Sequence, residues 1–246
     1  MSNSVMMPII GYMHSPYREK FGIPRQPNLV QIESYIEMVE PYNEILAFEG
    51  IDDFSHLWLL WQFHENKQND SAPNQTAKFR AQVRPPRLGG NQKIGVFATR
   101  SMYRPSPIGL SVVRFLRVEK HGKVIRLYVT GSDLLHGTPI FDIKPYIQYS
   151  DAIEDSISGY AQDEPIRKNV IWAETASLQQ KQLLNQAILD KKILDELEQV
   201  LSLDPRPAYQ EDTERVYGMC FAHLNIRFTV DEKNVTVVSV EQSNII

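Results

Sequence analysis

One cysteine, Cys220, stands in 246 residues, which leaves no disulfide framework and no paired-cysteine metal or redox motif. The six histidines are also too scattered for a ligand set: His56 and His64 lie eight positions apart, and His14, His121, His136 and His223 are dispersed, so no metal is expected. Glycine-rich phosphate loops of the GxGxxG and Walker types are missing, as is a GxSxG nucleophile elbow. These absences remove the commonest nucleotide-binding and hydrolase readings. The apolar run Leu57 to Trp61 is far too short to span a bilayer, and the opening MSNSVMMPIIGY has neither a basic start nor a long apolar stretch. The expectation is a cytoplasmic protein without a membrane segment.

A further absence is the most informative. From Ser71 to Val118 there is no Asp or Glu, while Lys78, Arg80, Arg84, Arg87, Lys93, Arg100, Arg104, Arg114 and Arg117 place nine cations in that stretch. The whole chain is acidic, with 26 Lys+Arg against 30 Asp+Glu. Segregation of this kind points to an anionic partner such as nucleic acid or phosphate. The alternative is that these side chains cap strands and solvate a sheet rim.

What is present reads mainly as β-structure. Ile125, Leu127 and Val129 alternate with Arg126, Tyr128 and Thr130, and this run pairs with Ser111 to Glu119 as a hairpin. Further strand candidates are Ile9 to Met13, Ile45 to Glu49, Ser55 to Phe63 and Ile94 to Thr99. Many short strands favour a barrel or sandwich, and barrel closure removes exposed edges. The character changes after Tyr149. Leu178, Leu183, Leu184, Ala187, Ile188, Leu194, Leu197, Val200 and Leu201 recur mostly at three and four, the stripe of an amphipathic helix. The repeat slips at Asp190-Lys191-Lys192, leaving one helix or two. Strand alternation returns from Ile226 to Ser239. The expected architecture is an N-terminal β-barrel over 1–150 and a small α+β domain over 151–246.

Three clusters carry candidate chemistry. RPPRLGGNQKIGVFATRSMYRPSPIGLS (84–111) combines five cations with four prolines and four glycines. Such a loop can hold Arg100 and Arg104 over a ligand at little ordering cost, and arginine's planar fork suits phosphate or carboxylate. A barrel corner built from Gly and Pro is a compatible reading. GSDLLHGTPIFDIKPYIQYSD (131–151) places Asp133 just after a strand, where it either accepts hydrogen bonds from a ligand or forms an Asx-turn. Tyr103, Phe141, Tyr146 and Tyr149 either stack on bases or fill a core. KFGIPRQPNLV (20–30) repeats the pattern of cation, proline and small polar residue.

KFGIPRQPNLV, GIDDFSHLWLLWQFHE, RPPRLGG, GVFATRSMYRPSPIGLS and DLLHGTPIFDIKPYI together resemble the YaeB/TrmO (TsaA-like) family of S-adenosylmethionine-dependent tRNA N6-adenosine methyltransferases, and DPRPAYQ (204–210) resembles the C-terminal extension of its bacterial members. The resemblance implies a dimeric β-barrel enzyme that methylates the threonylcarbamoylated adenosine beside the anticodon. It places S-adenosylmethionine contacts at Gln26, Pro27, Asn28, His64, Glu65, Arg100 and Leu110, and along Gly131, Ser132, Asp133, Leu134 and Leu135. Arg84, Arg87, Lys93 and Arg104 are the cations expected to meet tRNA, and no catalytic base is assigned. Asn28 stands where glycine is frequent in the family, and His136 where an acidic residue is common. A small-molecule methyltransferase and a non-catalytic RNA-binding module are the competing readings.

Overall fold

A computed structural model describes residues 5–65, 79–207, 210 and 212–243. The first half supplies β1 (Gly11–His14), β2 (Glu33–Met38), β3 (His56–Gln62), β4 (Gln82–Val83), β5 (Ile94–Gly95), β6 (Ile108–His121), β7 (Val124–Thr130) and β8 (Pro139–Pro145). Six of these are hydrogen-bonded in the order β1-β2-β7-β6-β3-β8, every pair antiparallel, and β8 pairs back onto β1 so that the sheet closes on itself. Strand alternation sends Leu57, Leu59 and Trp61 of β3 and Ile125, Leu127 and Val129 of β7 inward, where they meet Met13, Ile36, Val113 and Ile140. The expected hairpin is present as β6 and β7, turned over Gly122-Lys123.

Two strand expectations fail. Ile45–Phe48 is a 3-10 turn with only Phe48 buried, because consecutive apolar residues lack the alternation that a sheet face demands. Ile94 to Thr99 yields only the two residues of β5 before a 3-10 turn at Val96–Ala98, which leaves Phe97 72% exposed. Conversely, β2 and β8 were not anticipated, since ESYIEM is rich in charge and β8 is bounded by prolines.

The second half adds the single-turn helix α1 (Gln148–Asp151), β9 (Asn169–Trp172), α2 (Glu174–Asn185), α3 (Lys191–Ser202), β10 (Tyr217–Phe221), β11 (Leu224–Val230) and β12 (Asn234–Gln242). The slip in the helical repeat resolves as two helices. Ala187 takes a left-handed backbone and Asp190 caps α3 by accepting from the Ile193 amide at 2.8 Å. The strands form a sheet in the order β10-β11-β12-β9, with only β12 and β9 parallel. A second hydrophobic core lies here, and it includes Tyr17, Val30 and Ile32 from the first half of the chain.

Candidate functional site

A cavity of about 470 Å³ opens at one end of the closed sheet. That volume lies within the roughly 300–1,000 Å³ of small-molecule sites. Its floor is set by Trp61 at the end of β3. The indole covers Gly109 so closely that a Cβ there would come within 2.2 Å of the ring, so only glycine fits. Trp61 Nε1 donates to Ser111 Oγ at 3.0 Å, and Ser111 in turn donates to Asp133 Oδ1 at 2.6 Å. This relay carries the order of β3 and β6 across to the loop after β7. Burial raises the Asp133 carboxyl to about 6, against the smaller opposing pulls of the Ser111 hydrogen bond and the nearby Arg100 charge.

The walls are contributed by segments far apart in sequence. Ile23, Pro24 and Gln26 come from the loop after β1, while Phe63, His64 and Glu65 follow β3. The basic stretch adds Thr99, Arg100, Met102, Arg104 and Leu110, and the far side holds Asp133, Leu135 and Thr138. Arg100 Nη1 donates to Gln26 Oε1 at 2.5 Å, and Arg104 Nη1 to the Thr99 carbonyl at 2.9 Å. Lys20 donates to the carbonyl of Glu65 and so ties the first loop to the second. The result is a largely apolar slot whose lining also carries the cations Lys20, Arg25, Arg100 and Arg104 and the carboxyls of Glu65 and Asp133. Among the described residues no group of His, Cys, Asp or Glu is arranged to hold a metal ion.

Residues 12–152 match the family model for the tRNA-methyltransferase O N-terminal domain, and residues 165–243 match that for the TrmO C-terminal domain. The chain belongs to the TrmO family. It is 39% identical over 235 residues to the Escherichia coli tRNA (adenine(37)-N6)-methyltransferase, covering 94% of this chain and 96% of that protein. The human tRNA (adenine(37)-N6)-methyltransferase is 37% identical over 146 residues, 58% of this chain and 30% of its own length. A crystal structure of TrmO from Pseudomonas aeruginosa superposes with a TM-score of 0.77 at 32% identity, covering 99% of both chains.

Of the contacts that the family resemblance implies, Gln26, His64, Glu65, Arg100, Leu110, Asp133 and Leu135 line this cavity, while Pro27, Asn28, Gly131, Ser132 and Leu134 do not. The structure gives four of these five, all but Pro27, a supporting place. Leu134 is fully buried in the first core, and Ser132 is buried against Ser34. The Asn28 amide donates to Gly131 O at 2.8 Å and its Nδ2 to Val112 O at 2.9 Å, pinning the first loop to β6 and to the end of β7. Asn28 has φ 64°, a left-handed backbone that asparagine tolerates far better than most side chains. His136 is also off the cavity, with its ring edge-on to His14 at 5.0 Å.

Six of the nine cations separate just as clearly. Lys78 lies outside the described residues. Arg100 and Arg104 face the cavity, so Arg104 shares a wall with the ligand groups and does not stand apart with the other expected tRNA contacts. Arg84 and Lys93 are exposed, and Arg87 donates to the carbonyl of Asp163. Arg117 is paired with Glu33 and Glu119. Lys20, Arg25, Trp61, Phe63 and Met102 were missed as wall residues by sequence reasoning. For Trp61 the signal existed, because it shares the inward phase of Leu57 and Leu59 at the mouth end of β3.

Proposed function

We propose that this protein transfers a methyl group from S-adenosylmethionine to N6 of the threonylcarbamoylated adenosine next to the anticodon of tRNA, using the cavity beside Asp133 and Arg100. The observation that carries this reading is the convergence of Gln26, His64, Arg100 and Asp133, from four distant segments, on one cavity in a TrmO-family chain. The donor set fits the cofactor. Trp61, Phe63, Leu110 and Leu135 offer apolar walls for an adenine ring and a methylthio chain, Arg100 suits the cofactor carboxylate, and Asp133 suits a cationic or hydroxyl-bearing portion.

When bound, the cofactor supplies an electrophilic methyl group on a sulfonium. The protein's own work is positioning: the relay from Trp61 through Ser111 fixes Asp133, and Gln26 holds Arg100 in place before a ligand arrives. Correct alignment of reacting groups is worth up to roughly 7–11 kcal/mol in favourable intramolecular cases. The closed six-stranded sheet is read as the β-barrel catalytic domain over 1–150, with 151–246 as its α+β companion, in a cytoplasmic protein. Arg84 and Lys93, exposed on the carboxylate-free stretch, are read as phosphate contacts for the tRNA. A homodimer completes the proposal. Phe79 and Phe97, exposed yet stacked on each other at 6.1 Å, form apolar surface that a second copy can cover.

The deciding experiment is transfer from labelled S-adenosylmethionine to tRNA, followed by mass spectrometry of the nucleosides. A methylated threonylcarbamoyl adenosine that forms only with tRNA bearing that modification is expected. Labelling of a small molecule in the absence of tRNA, or none at all, overturns the proposal. Light scattering on the same preparation tests the dimer.

A further inference from the structure

Among the described residues none that lines the cavity comes from beyond Thr138, yet the loop that forms one of its walls is held in large part by the second half of the chain. The loop between β1 and β2 faces the cavity through Lys20, Ile23, Pro24, Arg25 and Gln26. Its other side enters the C-terminal core. The Phe21 ring packs on the cross-strand pair Tyr217 and Phe228, at 6.5 Å and 15° from the first and 6.3 Å and 18° from the second, while those two rings lie 5.7 Å from each other. Gly22 has φ +89°, and a Cβ there would lie 2.2 Å from Met219 Sδ, so the backbone is pressed against β10 with no room for a side chain. The Cys220 amide donates to Glu19 Oε1 at 2.7 Å, and the Ala222 amide to Pro16 O at 2.7 Å. At the far side, Arg25 donates to the Arg206 carbonyl at 3.2 Å, within the DPRPAYQ stretch whose Ala208 and Tyr209 lie outside the described residues.

The closed sheet holds this loop chiefly near its two ends. His136 N donates to Tyr17 O, and Asn28 bonds to Gly131 and Val112. Between those anchors the side chains of Lys20 and Gln26 reach the Glu65 carbonyl and Arg100, while the backbone that carries the cavity wall rests on the aromatic stack and on Met219. We propose that the C-terminal domain acts as a brace for the ligand site, with Phe21 and its partners Tyr217, Phe228 and Met219 as positioning residues that keep Lys20–Gln26 in binding shape. A loop held in its bound conformation beforehand pays less ordering cost when the ligand arrives. A second domain that touches no ligand can therefore set affinity for one. The inference rests on reading the cavity as the S-adenosylmethionine site.

The test is calorimetric titration of the full-length protein with S-adenosylmethionine, well below its unfolding midpoint, for the wild type, Phe21→Ala, Phe21→Leu and Leu183→Ala. Leu183→Ala truncates the same core from α2 and reports on general loosening. Phe21→Ala is expected to raise Kd about tenfold or more, since several wall side chains must then be ordered on binding. Phe21→Leu, which keeps an apolar anchor and the fold, is expected to recover part of the loss. Activity at saturating cofactor should fall much less than affinity in both Phe21 variants. A Leu183→Ala protein that is equally destabilised but binds like wild type supports the brace. Equal Kd for wild type and Phe21→Ala, or an equal loss in Leu183→Ala, overturns it. If the wild type itself fails to bind, the reading of the cavity falls first and the brace with it.

Discussion

The outer face of the closed sheet and the cavity at its end use the same kinds of charged side chain in opposite ways. On the outer face, Arg117 pairs with Glu33 and Glu119 while lying 3.8 Å over the Tyr128 ring, and Arg126 pairs with Glu37 while lying over Tyr35. Hydrogen bonds from Arg117 and His121 hold the Glu119 carboxyl below its ordinary range. At the cavity, Arg100 bonds to the neutral amide of Gln26, and Asp133 accepts from a hydroxyl with no cation bonded to it. Burial therefore pushes Asp133 up, where pairing pushes Glu119 down. Charges already neutralised by the protein are available for stability only. Those left with neutral partners are available to a ligand.

The largest expected effect that sharpens this contrast is at Asp133. Its folded value of about 6 lies above the ordinary 3.8, so folding favours the protonated form. The associated stability is fully present below about pH 4 and is lost as pH rises through 6. Asp133→Asn should then be more stable than wild type at pH 7 by up to about 3 kcal/mol, from a shift of roughly two units at 1.36 kcal/mol each. The gap should close near pH 4, while affinity for S-adenosylmethionine falls. Chemical denaturation at several pH values measures this, and a pH-independent difference would show that the carboxyl is not held against its preference.

Next in size is Arg100→Ala compared with Arg117→Ala in a cofactor titration. Losing a hydrogen bond made by a charged group costs about 1.5–3 kcal/mol, which is about 10- to 150-fold in Kd. That loss is expected for Arg100→Ala alone. A comparable loss in Arg117→Ala would erase the distinction between the outer face and the cavity.

How much of this was legible in the sequence depends on which residues are followed. Regular alternation exposed β3, β6 and β7, because each has one face on the core and period two survives in the letters. β2 and β8 stayed hidden, since outward Glu33 and Glu37 and the terminal prolines Pro139 and Pro145 read as loop until their neighbours are in place. The family resemblance named Gln26, Arg100 and Asp133 as sharing a ligand, but could not say that Leu134 turns into the core while Leu135 faces the cavity. That division follows from backbone geometry after Gly131. The nine cations were visible as a block, and their division into cavity, exposed and paired groups depends on which Glu lies across the strand. Nor could the sequence place Phe21 against Tyr217 and Phe228, about 200 positions away, because no local pattern encodes contact between halves.

A smaller effect concerns the exposed members of the basic stretch. If Arg84 and Lys93 meet phosphates of a single-stranded loop, tRNA affinity should fall linearly with salt on logarithmic axes, and each substitution by Ala should flatten the slope by about 0.7. Filter binding between low and moderate salt reads the slope directly. A slope unchanged in the double variant would move the tRNA contact elsewhere.

The smallest effect is expected where the charges look most abundant. Arg117 makes two ion pairs and a ring contact, but its side chain remains 42% exposed, so water screens each partner and competes for its hydrogen bonds. Exposed pairs contribute about 1 kcal/mol or less, and removing Arg117 leaves Glu33 free to keep Lys192, which lies 3.7 Å away. Arg117→Ala should consequently shift the unfolding midpoint only slightly, and the shift should shrink further in high salt. The ring contact provides the sharper control, because Arg117→Lys keeps the charge while losing the planar guanidinium that lies over Tyr128. Equal behaviour of the Ala and Lys variants would assign what stability there is to the stacking, and a Lys variant indistinguishable from wild type would assign it to charge alone. A large loss in either variant at high salt would mean that the outer face is held by something other than exposed ion pairs, and the contrast with the cavity would have to be redrawn.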